Sequence, residues 1–226
     1  MDFDSFTLLA AGADLADEPA AREDADGMEL RMDFANEPLA MLDDYEGDLP
    51  LLVTNRVEWE GGEAADDAAR LDALETAVEH DAVTAVDVEL AALEAEGEHD
   101  AARVVSHARD HGASVVVSTH DFEATPAEDD IVARLERACE YGDVGKIATT
   151  ARDRGDVLAL LEATHRLTEA GETVATMAMG EAGRHSRPVA PLYGSRIGYA
   201  PVDPADATAP GQYDLATLRR LVDQLS

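Results

Sequence analysis

Eight short runs rich in β-branched and apolar residues punctuate this chain, at 6–11, 28–33, 50–56, 85–90, 114–121, 144–149, 173–180 and 195–202. Stretches with helical periodicity separate many of them, at about 36–46, 64–80, 98–111, 127–141, 154–170 and 213–225, with a weaker one near 14–25. Strands that alternate with crossover helices demand a parallel sheet. Eight such units in 226 residues predict α/β architecture closed on itself, a (β/α)8 TIM barrel, as one domain over residues 1–226. No linker composition divides it.

Alternation within the runs says what the barrel encloses. In 28–33, Glu29, Arg31 and Asp33 share one side and Met28, Leu30 and Met32 the other. The apolar side suits contact with helices, so the charged side points inward. Asp87 and Glu89 repeat the pattern in the fourth run. Buried charges are costly unless they pair or serve a ligand. For Asp33 and Asp87 an internal ion-pair network is a sufficient explanation. Charges near the C-terminal strand ends read as functional, because barrel enzymes place their active sites there.

The formal net charge is −32, from 49 acidic and 17 basic residues. With 46% apolar residues in clear blocks, the chain reads as folded and suited to concentrated salt, not as an acidic disordered tail. Molar salt shortens the Debye length to about 3 Å and removes most self-repulsion. A halophilic cytoplasm is the expected setting, with loosening in dilute buffer. Nucleic acid and anionic membrane are excluded as partners by repulsion. The single cysteine, Cys139, allows no internal disulfide and reads as a buried small apolar residue. Neither a signal peptide nor a membrane span is expected.

The basic residues comprise sixteen arginines and one lysine, Lys146, set in Val144-Gly145-Lys146-Ile147-Ala148. Only lysine can lose its proton and act as an amine nucleophile. Desolvation in this sixth run is expected to free the amine; the competing reading is one buried ion pair. His120 ends the fifth run, where it can share a rim with Lys146 and exchange protons near neutral pH. The remaining histidines (80, 99, 107, 111, 165 and 185) fall mostly on helices or loops and read as surface residues. Arg31, Arg56 and Arg187 lie at three different strand ends and together suit an anion clamp for a carboxylate substrate. The stretch 180–187 lacks the spacing of a phosphate loop. The segment 207–212, rich in small residues with Pro210 and Gly211, suits a lid as well as it suits a surface turn.

Taken in order, Glu29-Leu30-Arg31-Met32-Asp33, Thr54-Asn55-Arg56 with Glu60-Gly61-Gly62-Glu63, Asp87-Val88-Glu89, Ser118-Thr119-His120-Asp121-Phe122 with Thr125-Pro126, Lys146-Ile147-Ala148, Met177-Ala178-Met179-Gly180, Ser186-Arg187, Tyr193-Gly194-Ser195 and Ala209-Pro210-Gly211-Gln212 resemble type I 3-dehydroquinate dehydratase, in a halophilic archaeal form. The resemblance implies a (β/α)8 hydro-lyase of the shikimate pathway, in aromatic amino acid biosynthesis. It would convert 3-dehydroquinate to 3-dehydroshikimate with neither metal nor cofactor, in the cytoplasm and as a homodimer. It implies that Lys146 forms a Schiff base, His120 acts as general acid and base, and Glu60 orients that histidine. Arg187 would hold the substrate carboxylate; Glu29, Arg31, Arg56, Thr208 and Gln212 would bind hydroxyls or close the lid; Met177 and Met179 would line the pocket.

Three departures from the family pattern stand out. Thr208 replaces a serine of the lid. Leu30 replaces an aromatic between Glu29 and Arg31. The first strand follows Met1 almost at once, without the hairpin that many members place beneath the barrel, so packing of the floor is expected to suffer. Three other readings compete: a class I aldolase-type Schiff-base barrel, a metal-dependent barrel using Asp87, Glu89 and His120, and a non-catalytic acidic scaffold. Arg31 and Lys146 pointing into the same space oppose the metal; the inward charges oppose the scaffold.

Overall fold

The computed structural model describes residues 1–95, 101–203, 205 and 211–225. Eight strands, β1 (Thr7–Gly12), β2 (Gly27–Arg31), β3 (Leu51–Thr54), β4 (Val83–Glu89), β5 (Ser114–Asp121), β6 (Val144–Thr150), β7 (Val174–Met179) and β8 (Ile197–Ala200), form one sheet. Its order is β7-β6-β5-β4-β3-β2-β1-β8, and the ladders among the described residues are parallel. The helices are α1 (Glu18–Ala21), α2 (Pro38–Asp43), α3 (Asp67–Ala77), α4 (Leu90–Glu94), α5 (Ala102–Asp110), α6 (Glu128–Tyr141), α7 (Arg154–Glu169), α8 (Gly180–Gly183), α9 (Ser186–Val189) and α10 (Leu215–Leu225). The architecture is the expected TIM barrel. The weak helix read at 14–25 shrinks to a 3-10 turn and the four residues of α1. Helix α4 and the pair α8–α9 escaped the sequence reading, because segments of four or five residues are shorter than the period that reveals a helix.

Among the described residues no ladder joins β7 and β8. At that seam the Arg196 N–H donates to the Val174 carbonyl at 2.8 Å, and the Thr176 N–H donates to the Ser195 hydroxyl at 2.9 Å. A buried side-chain hydroxyl thus satisfies a backbone donor that a strand partner would otherwise take.

Alternation sorts the strand residues as expected. Met28, Leu30, Val53, Val86, Val88, Val115 and Val117 face outward into a shared core with the helices. Leu9, Leu52, Ala85, Val116, Val144, Ala175 and Ile197 face inward and fill the lower barrel with apolar side chains. Farther along the same inward faces come Asp87, Glu89, Ser118 and Lys146, all buried. The interior is therefore greasy at the floor and charged toward the C-terminal rim. The expected weakness of the floor is corrected: Phe3, 2% exposed, inserts into the interior cluster with Met1 packed beside it. Cys139 is half-buried on α6, with burial pushing its thiol up to about 12. It is therefore an inert packing residue. No helix among the described residues is long and apolar enough to cross a membrane.

The charge of −32 carries a stability prediction. Raising KCl from 0.1 to 1 M shortens the Debye length from about 10 to about 3 Å. Relief of about 2 kcal/mol of self-repulsion would lift the thermal midpoint of a domain this size by roughly 4–8 °C. Calorimetric scans across KCl concentrations measure this; a flat midpoint refutes the salt-coupled reading of the surface.

Candidate active site

At the C-terminal end of the barrel one pocket is lined by Glu29, Arg31, Arg56, Glu60, His120, Lys146, Met177, Met179, Arg187 and Gln212. These ten of the eleven candidate residues come from six strands and the loops that follow them. The eleventh, Thr208, lies outside the described residues, as does most of the segment expected to form the lid. Parallel register explains the convergence, since Ser118 pairs with Lys146 and His120 with Ala148 across β5 and β6. Alternate inward residues of adjacent strands then rise to a common rim.

Lys146 is 4% exposed. The expectation of an amine alone in apolar surroundings is corrected: its Nζ donates to Asp87 Oδ2 at 2.8 Å and lies 4.3 Å from the centre of the Tyr199 ring. The ion pair and the accessible pocket are both present, so the two readings of this lysine do not exclude one another. Asp87 carries the network onward. Its Oδ1 accepts from Arg56 Nη2 at 2.7 Å and from the Ser118 hydroxyl at 2.6 Å. Arg56 Nη1 reaches Glu89 Oε1 and Ser118 Oγ, each at 2.8 Å, and Arg70 holds the other Glu89 oxygen at 2.8 Å. Burial alone would raise the Asp87 carboxyl, but Arg56 and Lys146 override it and hold the pKa far below the usual range. Burial likewise opposes the Arg56 charge, and Asp87, Glu89 and Glu60 more than offset it.

The three arginines of the expected anion clamp differ in their partners. The Arg56 guanidinium lines the pocket while it is held by Asp87, Glu89 and Ser118, so it also balances the site's charge. Arg31 makes a bidentate pair with Asp33, at 2.9 and 2.6 Å, and lies over the Phe34 ring. Arg187 is different. It is 6% exposed, and its Nε has no hydrogen-bond partner among the described residues. Burial lowers its pKa to about 10, still charged at neutral pH. A buried cation with an unmet donor is a strong site for a carboxylate. On the opposite wall Glu29 accepts from Thr54 Oγ1 at 2.8 Å.

Glu60 follows β3 in a 3-10 turn (Glu58–Glu60) ended by Gly61, whose φ of +81° suits glycine. A Cβ at Gly61 would also meet the Phe122 ring at 2.4 Å. Glu60 Oε1 accepts the His120 backbone N–H at 3.3 Å, and Oε2 faces His120 Nδ1 at 3.6 Å. Phe122 stacks on the other side of the imidazole, 5.9 Å between centres. Burial pushes the Glu60 carboxyl up to about 7; Arg56 opposes this while Glu89 and Asp87 add to it. Burial, with the Arg56 and Lys146 charges, holds the imidazole well below its ordinary value. His120 is thus a neutral imidazole at pH 7, able to accept a proton.

Sequence reasoning missed Tyr199. It is buried on the inward face of β8, lines the pocket, and its hydroxyl has no partner among the described residues. Burial, with the Glu29 and Asp87 charges, raises its pKa far above the usual value, so it is a permanent donor. Its spacing of two from Ile197 was the available signal.

A family model for type I 3-dehydroquinase matches residues 10–226. The 3-dehydroquinate dehydratase of Haloarcula marismortui is 76% identical over all of this chain and 98% of that protein. That of Halobacterium salinarum is 51% identical over the full length of both. The crystal structure of 3-dehydroquinate dehydratase from Geobacillus kaustophilus superposes with a TM-score of 0.87 at 28% identity, covering 98% of this chain and 91% of that one. With ten of the eleven candidate residues gathered in one pocket, this chain belongs to the type I 3-dehydroquinase family.

Proposed function

We propose that this protein is a hydro-lyase of the shikimate pathway that converts 3-dehydroquinate to 3-dehydroshikimate through a Schiff base on Lys146. The carrying observation is the meeting of three complementary groups in one pocket: an amine nucleophile at Lys146, a neutral imidazole at His120 and an unsatisfied buried cation at Arg187.

Arg187 takes the substrate carboxylate and so orients the ring. A proton passes from Nζ of Lys146 to His120 as Nζ attacks the C3 carbonyl carbon, and a second N–H proton goes to the carbonyl oxygen, giving the carbinolamine. The imidazolium returns its proton to that hydroxyl, which leaves as water, giving a protonated imine and a neutral imidazole. That positive charge forms beside Asp87, whose carboxylate already lies 2.8 Å from Nζ and stabilises it without reorganisation. The imine withdraws electrons from the neighbouring C2–H bond, His120 removes the proton, and an enamine forms. Collapse of the enamine expels the C1 hydroxyl, which the same imidazolium protonates, making the elimination syn. Hydrolysis releases the conjugated enone and regenerates the amine. Glu60 keeps the imidazole facing the substrate, and Met177 and Met179 exclude water from the imine.

The deciding experiment is incubation with 3-dehydroquinate and borohydride, followed by peptide mapping. The reading requires added mass on the peptide carrying Lys146, and near-ultraviolet absorbance growing when borohydride is omitted. Labelled lysine without the enone would instead favour aldolase-type chemistry.

Arg187→Ala is expected to raise KM by about 10–150-fold with kcat changed far less. A hydrogen bond to a charged group contributes roughly 1.5–3 kcal/mol, and the carboxylate is held equally in ground and transition states. Steady-state kinetics test this; an unchanged KM would remove Arg187 from the binding role.

A further inference from the structure

On the outside of the barrel, at the opposite end from the pocket, two of the histidines that read as ordinary surface residues meet a glutamate. His107 and His111 stand one turn apart at the C-terminal end of α5, and Glu79 lies just after α3. His107 Nε2 is 3.1 Å from Glu79 Oε1. One nitrogen of each ring and one carboxylate oxygen lie within 4.8 Å of one another. The ring centres of the two histidines are 4.3 Å apart.

We propose that Glu79, His107 and His111 form a binding site for a borderline divalent transition-metal ion such as Zn²⁺ or Ni²⁺. Two imidazoles and one carboxylate are the donor set these ions prefer, whereas Mg²⁺ and Ca²⁺ prefer oxygen ligands. Ligand atoms around a tetrahedral zinc at 2.0–2.1 Å lie roughly 3.3 Å apart. The 3.1 Å pair already has that spacing, and the third ligand atom lies within 4.8 Å of both. An outer partner is also in place, with His111 Nδ1 lying 2.9 Å from the His107 carbonyl oxygen. When Nδ1–H donates there, Nε2 keeps the lone pair a metal needs, the device by which metal-binding histidines have their tautomer fixed.

Two further features favour a cation at this place. The carbonyl end of α5 carries the negative pole of the helix, and the strongly acidic chain concentrates cations at its surface. The scaffold is also pre-formed, because Arg103 of α5 is ion-paired with Asp72 and with Glu75 of α3, the latter at 3.4 Å. A bound ion would pin the ends of α3 and α5 together at the floor. Six residues of β5, about 20 Å at 3.3 Å each, separate Ser114 at that end from His120 at the rim, so the ion takes no part in the dehydration.

Calorimetric titration of the protein with Ni²⁺ in molar KCl tests the site. The expected result is one saturable equivalent per chain, with an unfolding midpoint that rises as Ni²⁺ is added. His107→Ala and His111→Ala are each expected to weaken binding by more than about tenfold, since loss of even an outer partner costs about 10–100-fold. Glu79→Gln is expected to weaken it as well, while His165→Ala leaves it unchanged. Circular dichroism and dehydratase turnover of these variants should match the parent. Absence of a saturable equivalent, or equal affinity in a His107→Ala/His111→Ala double variant that keeps its fold, overturns the proposal.

Discussion

Lys146→Ala is expected to abolish turnover, with kcat falling by more than about 10⁴-fold. General acid–base groups typically contribute about 10²–10⁴, and this substitution removes something greater, the electron sink that acidifies C2–H. No other described side chain in the pocket can replace it: Arg31, Arg56 and Arg187 are the remaining cations there, and a guanidinium does not form imines at neutral pH. The variant also strips Asp87 of one partner. Asp87 keeps Arg56 and Ser118, so the cost should fall below the roughly 3–5 kcal/mol of a fully broken buried pair. Lys146→Gln separates fold from chemistry, because its amide can still donate to Asp87. Both variants should unfold cooperatively in molar salt and show neither enone formation nor borohydride labelling. Near-normal turnover by either would refute the Schiff-base mechanism.

The barrel was legible because its information is local. Alternation within 28–33 and 144–149 assigns inward and outward faces without reference to any other strand, and the greasy floor and charged rim follow from it. The lone lysine was legible from composition, since sixteen arginines show what this surface does with ordinary positive charges. Partners were not legible. Lys146 meets Asp87 across 59 positions and Arg56 meets Ser118 across 62. Such pairings depend on strand register and stagger, which no local pattern encodes. That is why Arg56 read only as a clamp residue, its bonds to Asp87, Glu89 and Ser118 being hidden from the sequence. The same limit hid the plug at Phe3 and the Ser195 seam, where a single side chain performs a task that depends on closure of the whole sheet.

His120→Ala is expected to lower kcat by about 10²–10⁴-fold while leaving Lys146 able to trap substrate on borohydride treatment. The imidazole is the proton carrier at several steps, whereas carbon–nitrogen bond formation needs chiefly the amine. The pH profile then assigns the partner. In the parent, kcat/KM should fall on the acid side with an apparent midpoint near 7. That is where the buried Glu60 carboxyl takes up a proton, whereas the imidazole ionises only well below its ordinary value. The direction follows from the geometry: ionised Glu60, with Oε2 3.6 Å from Nδ1, favours the tautomer that carries its proton on Nδ1 and leaves Nε2 as the base, and protonation below about 7 removes that bias. Because the two groups interact, the midpoint belongs to the pair. Glu60→Gln cannot ionise, so its profile should lack the acid limb near 7 and run low throughout, while KM for the substrate, held by Arg187, stays close to the parent value. An acid limb near 7 that persists in Glu60→Gln would assign the titration elsewhere and leave Glu60 a packing residue.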